Sequence, residues 1–249
     1  MIVVLGATGN VGSKITAKLQ ETNTPFLGIG LANSEIQGFR RGDLMDRNFL
    51  EQILSGATSL LTILPGSLYP VWHDYAALLR SVLEESQVSH IVNISNAVTE
   101  KNGSPSLLHS FEKELNLLSA LNIKHLRCAN FFDNLSWGLN NGYHGDLKLP
   151  YISTHEIAFV ASGYLVRRNF SGHSIEELLG PADYSMNDFS ALTGKGARQM
   201  LLTEESRSFF EPFNQGLFTI APRTGNNTTS HSDPRFYLEY FLKNEYRGD

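Results

Sequence analysis

The run from Ile2 to Leu5 is wholly apolar and leads directly into glycines at positions 6, 9 and 12, after which an amphipathic pattern covers 11–21. No other feature constrains the fold as strongly. A short strand must turn sharply at Gly6, let another group approach the backbone at Gly9, and allow a helix to lie close on the strand at Gly12. The first-turn N–H groups of that helix then point at any anion entering the turn. The spacing is GxxGxxG rather than GxGxxG. The expected ligand is a dinucleotide whose pyrophosphate rests on Gly6, Ala7, Thr8, Gly9, Asn10, Val11 and Gly12.

The same alternation repeats downstream. Apolar runs at 2–5, 26–29, 59–64, 90–94 and 125–129 are separated by amphipathic stretches at 11–21, 46–55, 71–86 and 105–121. In the last of these, Leu108, Phe111, Leu115 and Leu118 form one helical face. Strands alternating with helices predict an α/β fold, a doubly wound and mostly parallel sheet. Such a sheet binds ligands beyond the carboxyl ends of its strands. Those ends carry Gly6 to Gly12, Gly30 to Asn33, Leu64-Pro65, Ser95-Asn96 and Asn130 to Asn134. Residues 1–130 are therefore read as the dinucleotide-binding core. Residues 131–249 are read as a smaller C-terminal α+β portion that binds substrate or a partner. It opens with a polar, turn-rich loop over 131–150 carrying Trp137, Tyr143 and His144, three residues suited to shaping a pocket or anchoring the loop. Helices are expected at 154–166 and 185–193, a strand at 198–203, a polar loop at 223–234 and a terminal helix at 236–246.

The chain has 249 residues, 41% of them hydrophobic, enough for a substantial core. The net charge is −5, and the longest basic runs are the pairs Arg40-Arg41 and Arg167-Arg168, which argues against nucleic acid as a partner. No apolar run approaches the ~20 residues of a membrane span. Cys128 is the single cysteine, so no internal disulfide forms; it reads as inert packing in a reducing compartment. Met1 leads straight into the first strand, leaving no room for a signal peptide, and a cytoplasmic location is expected. The eight histidines show no HExxH spacing and have no paired cysteines beside them, so no metal is expected.

Several segments, in order, resemble the NmrA-like branch of the atypical short-chain dehydrogenase/reductase superfamily. Gly6-Ala7-Thr8-Gly9-Asn10-Val11-Gly12 is similar to its glycine motif, and Gly42-Asp43-Leu44 resembles its GDL segment. Ile63-Leu64-Pro65 stands where the fourth strand delivers a cofactor-lining turn. His90 to Ser95 resembles the fifth strand, and Arg127 to Asn134 the segment after the sixth. Tyr151 to Ala161 resembles the family's D-I-A helix entry, from which His155-Glu156-Ile157-Ala158 departs by carrying Glu for Asp.

The resemblance implies a Rossmann fold binding NADP or NAD, with NADPH slightly favoured. It implies that Asp43 and Leu44 lie by the adenine, that Leu64 and Pro65 line the cofactor, and that Asn130 and Phe131 line its nicotinamide side. Asn134 pins the loop. Two departures stand out. The end of the second strand, Gly28 to Ser34, has neither the acid that selects NAD nor the arginine that selects NADP, leaving Asn33 or Ser34 to meet a ribose or phosphate. Arg40 and Arg41 read more readily as solvated surface than as a 2′-phosphate site. Secondly, His109-Ser110-Phe111-Glu112-Lys113 falls where the superfamily carries Tyr-x-x-x-Lys, so His109 replaces the tyrosine.

His109 and Lys113 are four residues apart and share a helical face. The resemblance implies that Lys113 hydrogen-bonds the nicotinamide ribose, and a nearby ammonium favours a neutral His109. A neutral imidazole N–H can polarise a carbonyl or deliver a proton, the alternative proton source being water. Ser95 stands near the family's active-site serine and either holds a carbonyl or satisfies local backbone. Two functions follow: an NAD(P)H-dependent reductase of a small carbonyl or quinone acceptor, or a non-catalytic NAD(P) sensor acting through a regulatory protein partner. A degenerate fold with weak nucleotide binding is the third.

Overall fold

The computed structural model describes residues 1–247, apart from the side chain of Trp137. The chain forms two compact units that interleave along the sequence. One comprises Met1–Ser95, Leu107–Arg127 and Ile157–Glu176; the other Asn96–Ser106, Cys128–Glu156 and Glu177–Asp249.

In chain order, the first unit begins with β1 (Ile2–Leu5), α1 (Asn10–Glu21), β2 (Phe26–Gly30), β3 (Phe39–Arg41) and α2 (Arg47–Leu54). There follow β4 (Ser59–Ile63), a 3-10 turn at Gly66–Val71, α3 (Trp72–Glu84) and β5 (His90–Asn96). A short hairpin, β6 (Glu100–Lys101) and β7 (Ser104–Pro105), precedes α4 (Leu107–Leu115) and β8 (Asn122–Cys128). The chain continues through β9 (Asn130–Phe131), a 3-10 turn at Phe132–Trp137, β10 (Leu149–Ile152), α5 (Thr154–Arg167) and β11 (His173–Leu178). It closes with β12 (Ala182–Tyr184), α6 (Met186–Thr193), α7 (Glu204–Asn214), β13 (Phe218–Thr219) and α8 (Leu238–Asn244).

Seven strands make the main sheet, in the order β11-β8-β5-β4-β1-β2-β3. The pairs β1–β2, β2–β3, β1–β4 and β4–β5 are parallel, with Leu5 opposite Ile29 and Val4 opposite Leu61. The order reverses between β1 and β4, the switch point at which such sheets open a crevice beyond their carboxyl ends. β1 is buried at every residue because both of its faces are covered. Val3, Leu5 and Leu60 share one apolar cluster with Leu50 and Ile53 of α2, Leu79 of α3 and Phe111 of α4. Each such side chain contributes about 1.5–3 kcal/mol by leaving water. The expected mostly parallel α/β sheet is the observed one.

The second unit has two small sheets, β12-β10-β9 and β13-β6-β7. Its core is aromatic: Tyr151 meets Phe189 edge-on at 4.9 Å between ring centres and stacks parallel to Phe132 at 6.5 Å.

Two expected elements differ. The strand at 198–203 is an irregular segment whose sole β-type contact among the described residues is an isolated bridge from Gln199 to Asn141. It lies along the surface, with Leu201 96% exposed. The helix expected over 105–121 stops at Leu115 and gives way to turns. Asn116 directs its side chain to His125, and Leu118 reaches the core from a turn. No helix among the described residues is long and apolar enough to cross a membrane.

Glu156 is buried in the second unit, where Thr229 Oγ1 donates to its Oε2 at 2.6 Å. Burial raises its pKa from 4.5 to about 7, opposed only in part by that hydrogen bond. The folded state therefore holds the proton more tightly than the unfolded chain. The resulting stability is complete below pH 4.5 and is lost as pH rises through 7. Glu156→Gln is expected to match the parent in thermal unfolding at pH 4.5 and to exceed it at pH 8, by up to about 3 kcal/mol.

Candidate functional site

The three glycines of the first turn do different work. Gly6 has φ +75°, a left-handed conformation open to glycine, and this turns the chain out of β1. At Gly12, a Cβ would overlap the Gly6 carbonyl, so this glycine lets α1 close on the turn. Gly9 is different: its φ is −78°, and the nearest atom to an added Cβ is the Gly6 oxygen at 3.4 Å, an ordinary contact. Nothing inside the protein demands glycine at position 9.

Gly9 is also the N-cap of α1, where it supplies no side-chain hydrogen bond. The earliest amide of the helix to find an acceptor in its own backbone is Ser13, bonded to the Gly9 carbonyl at 2.9 Å. Asn10, Val11 and Gly12 thus present first-turn N–H groups with no partner within the helix. No acidic residue stands in that first turn. The helix dipole is unopposed there, and the arrangement suits an anion.

The turn opens on a cleft of about 470 Å³ inside the first unit. Of the expected cofactor residues, Gly6, Thr8, Gly9, Asp43, Leu44, Leu64 and Pro65 line it. Gly30, Leu31 and Ala32 from the end of β2, and Ser67 to Tyr69 after β4, complete much of the wall. Ala7 faces inward, its amide bonded to the Ile29 carbonyl at 2.8 Å, and Val11 and Gly12 are buried. Asn10 and Asn33 are exposed, and neither lines the cleft. Ser34 spends its hydroxyl oxygen on the amide of Ile36. Asp43 accepts from the Met45 amide at 2.9 Å, which orders the GDL turn. No arginine or lysine is in the wall; Arg40 donates to Gln52 Oε1 at 3.0 Å.

Ser95, His109 and Lys113 do not line this cleft. Lys113 is exposed on α4. Ser95 is buried, with no hydrogen-bond partner for its hydroxyl among the described residues, whereas His109 belongs to a polar cluster that the motif alone does not reveal. Glu112, 2% exposed, accepts from Arg127 Nε at 3.1 Å and Nη2 at 2.7 Å. Burial opposes ionisation of Glu112, but the hydrogen bonds and positive charge of Arg127 hold its carboxyl below the usual range. Arg127 Nη2 also lies 3.2 Å from His109 Nδ1, and Glu112 Oε2 is 3.3 Å from that nitrogen. His125 is buried beside them. Asn93 Nδ2 donates to its Nδ1 and its Nε2 donates to Asn116 Oδ1, both at 3.0 Å. Burial lowers its pKa to about 4, so it stays neutral. The sequence did hold a signal for Glu112, which shares a helical face with Leu108 and Leu115. A carboxylate on an apolar face requires a buried partner.

The second unit holds a cavity of its own, about 560 Å³. Asn130, Asn134 and Tyr143 help to line it, whereas Phe131 and His144 do not. Tyr143 packs edge-on against Phe210 at 4.9 Å and Phe213 at 5.5 Å, and burial pushes its phenol up to about 12. His144 is exposed. The Trp137 side chain, expected to help shape a pocket, lies outside the described residues. Cys128 is buried.

No protein-family model matches the chain, and no curated protein matches it in sequence. Solved structures do match in fold. A nucleoside-diphosphate-sugar epimerase from Staphylococcus aureus superposes with a TM-score of 0.73 at 18% identity, covering 90% of this chain and 93% of that one. An NADPH-dependent quinone oxidoreductase from Escherichia coli, complexed with NADPH, gives 0.67 at 19% identity over 83% and 80%. A UDP-glucose 4-epimerase from Thermus thermophilus, complexed with NAD, gives 0.61 at 16% over 79% and 84%. At these identities the likeness shows the fold, a Rossmann-like α/β sheet with flanking helices.

Proposed function

We propose that the chain is an NAD(P)H-dependent reductase of a small carbonyl or quinone acceptor. One observation carries the reading: the Gly6–Gly12 turn offers uncapped first-turn amides, no opposing acid, and a glycine at position 9 that the fold itself does not require. The residues fit a dinucleotide. The amides of Asn10, Val11 and Gly12 would hold the pyrophosphate, Asp43 and Leu44 the adenosine end, and Leu64 and Pro65 the adjoining wall. The dinucleotide, when bound, supplies the hydride. The solved relatives of like fold whose descriptions name NADPH and NAD support the choice of ligand.

The proton is assigned to His109. A guanidinium only donates hydrogen bonds, so Arg127 at 3.2 Å claims the lone pair of His109 Nδ1. Glu112, already engaged by two N–H groups of Arg127, fixes the guanidinium in place. With Nδ1 as the acceptor, the ring proton sits on Nε2, the tautomer that hydrogen-bonds a carbonyl oxygen and gives its proton up. Lys113, exposed on α4 and outside the cleft wall, carries no role in this reading. His109→Phe is expected to lower kcat with a quinone by about 100-fold and to leave dinucleotide affinity unchanged.

With no arginine or lysine in the cleft wall, a 2′-phosphate gains no bidentate partner. NADH and NADPH are expected to bind within about tenfold of each other, a difference of ~1.4 kcal/mol. Titration calorimetry measures both; a much larger preference for NADPH would mean that Arg40 or Arg41 reaches the ligand.

The second reading is a dinucleotide-binding protein without turnover. It is favoured by the position of Ser95, His109 and Lys113 outside the cleft wall. Following nicotinamide absorbance with NADH or NADPH and a quinone separates the two. Acceptor-dependent oxidation supports the reductase; tight binding without oxidation replaces it with the sensor.

A further inference from the structure

The cavity of the second unit has a chemical character of its own. At about 560 Å³ it matches the size of pockets for small organic ligands. Its wall is built from rings and aliphatic or thioether side chains, among them Tyr143, Tyr151, Phe210 and Met186. Asn130, Asn134, Asn140 and Asn141 supply the polar part of the wall. Asn130 Nδ2 donates to the Pro150 carbonyl and Asn141 Nδ2 to the Met186 sulfur, and each NH2 keeps a second hydrogen for a carbonyl or hydroxyl oxygen.

Among the described residues, no side chain lining the cavity is ionised at neutral pH. None is Asp, Glu, Lys, Arg or His, and burial holds the phenols of Tyr143 and Tyr151 protonated. Lys101 stands over the rings of Phe209 and Phe213, at 4.6 and 5.7 Å, and is not part of the wall.

The start of α7 also borders the cavity, through Thr203 and Ser206. Such a terminus normally welcomes anions. Here Thr203 and Ser206 cap each other in a closed capping box, and Glu204 and Glu205 occupy the first turn. The Ser206 amide is thereby taken, and the helix's positive pole is offset by two carboxylates. A diphosphate would therefore lose its hydration without gaining a cation from the wall, and would meet two carboxylates at the helix end.

The rim points the same way. Met200 is 55% exposed, Leu201 96% and Phe209 48%, and all three border the cavity. Apolar side chains gathered at the mouth of a pocket gain by being covered with an apolar ligand.

We infer that this cavity is a binding site for an uncharged, ring-bearing compound with carbonyl or hydroxyl oxygens, and that it excludes nucleoside diphosphate sugars. The inference separates this chain from the nucleotide-sugar proteins of like fold, one of which is described in complex with UDP-glucose and NAD. Identifying the compound with the hydride acceptor rests on the reductase reading; the binding itself does not.

The test is calorimetric titration of the full chain, without dinucleotide, using menadione and, separately, UDP-glucose. The same titrations are made on Met200→Glu and Leu201→Glu, whose side chains are exposed enough to leave the fold intact. Menadione is expected to bind the parent and to bind each variant at least about tenfold more weakly, since an introduced carboxylate stands at the mouth of an uncharged pocket. UDP-glucose is expected not to bind. Absence of menadione binding, equal affinity in parent and variants, or UDP-glucose binding as tight as menadione would each overturn the inference. NADPH titrated into the same proteins keeps the two readings apart. Menadione binding without NADPH binding upholds the cavity and removes the reductase; NADPH binding without menadione binding does the reverse to the cavity.

Discussion

Gly9→Val abolishes dinucleotide binding, by at least about 100-fold in Kd, and the protein still folds. The backbone at position 9 is extended, φ −78° and ψ 172°, which valine adopts readily. A Cβ there meets only the Gly6 oxygen, at 3.4 Å. Replacing a glycine N-cap with valine costs about 1 kcal/mol or less of helix stability. The branched side chain instead takes the space that an anion needs to reach the amides of Asn10, Val11 and Gly12. Calorimetric titration with NADPH gives the affinity, and circular dichroism checks the fold. Gly12→Val is the contrast, since its Cβ overlaps the Gly6 carbonyl and its loss is one of folding. A Gly9→Val protein that binds with parental affinity would move the site away from this turn.

Arg127→Leu destabilises the first unit by about 3–5 kcal/mol, because it leaves the Glu112 carboxylate buried without its cation. Glu112 is 2% exposed, and it has Arg127 as its main partner. Natural domains carry only about 5–15 kcal/mol in total. The loss is therefore a large share of stability, and urea unfolding followed by circular dichroism should show it as a lower midpoint. The double variant Glu112→Leu, Arg127→Leu removes both charges and is expected to recover most of the difference. A single variant as stable as the parent would mean that Glu112 has water beside it.

The residues that were legible in the sequence carry their reasons locally. The Gly6–Gly12 turn follows from β1, the turn and α1 in immediate succession, and the interior strands read clearly because both their faces are apolar. β3 and β11 escape such reading. They lie at the two edges of the main sheet and carry Arg40, Arg41, Glu176 and Glu177, as edge strands commonly do. α7 is hidden by Pro212 inside it, although its Thr203–Ser206 cap and Phe209, Phe210 and Phe213 are all present in the sequence.

The catalytic candidates were legible only in part. Spacing of four puts His109 and Lys113 on one helical face, and nothing in that spacing says what the face meets. Lys113 meets solvent, while His109 Nδ1 meets Arg127, which is eighteen positions further along the chain. A partner brought in by another strand is a tertiary fact, and helical periodicity carries no information about it. The same holds for Leu201, whose strand-like surroundings find no neighbouring strand and form the cavity rim.

Hydrogen–deuterium exchange of the parent protein, with and without saturating NADPH, tests the central claim most directly. The account predicts slowed exchange in peptides spanning residues 6–12, with further protection at 42–44 and 63–69, where the ligand covers the cleft wall. Unchanged exchange at 6–12 under saturating NADPH would contradict it, because the uncapped amides of α1 would then hold nothing.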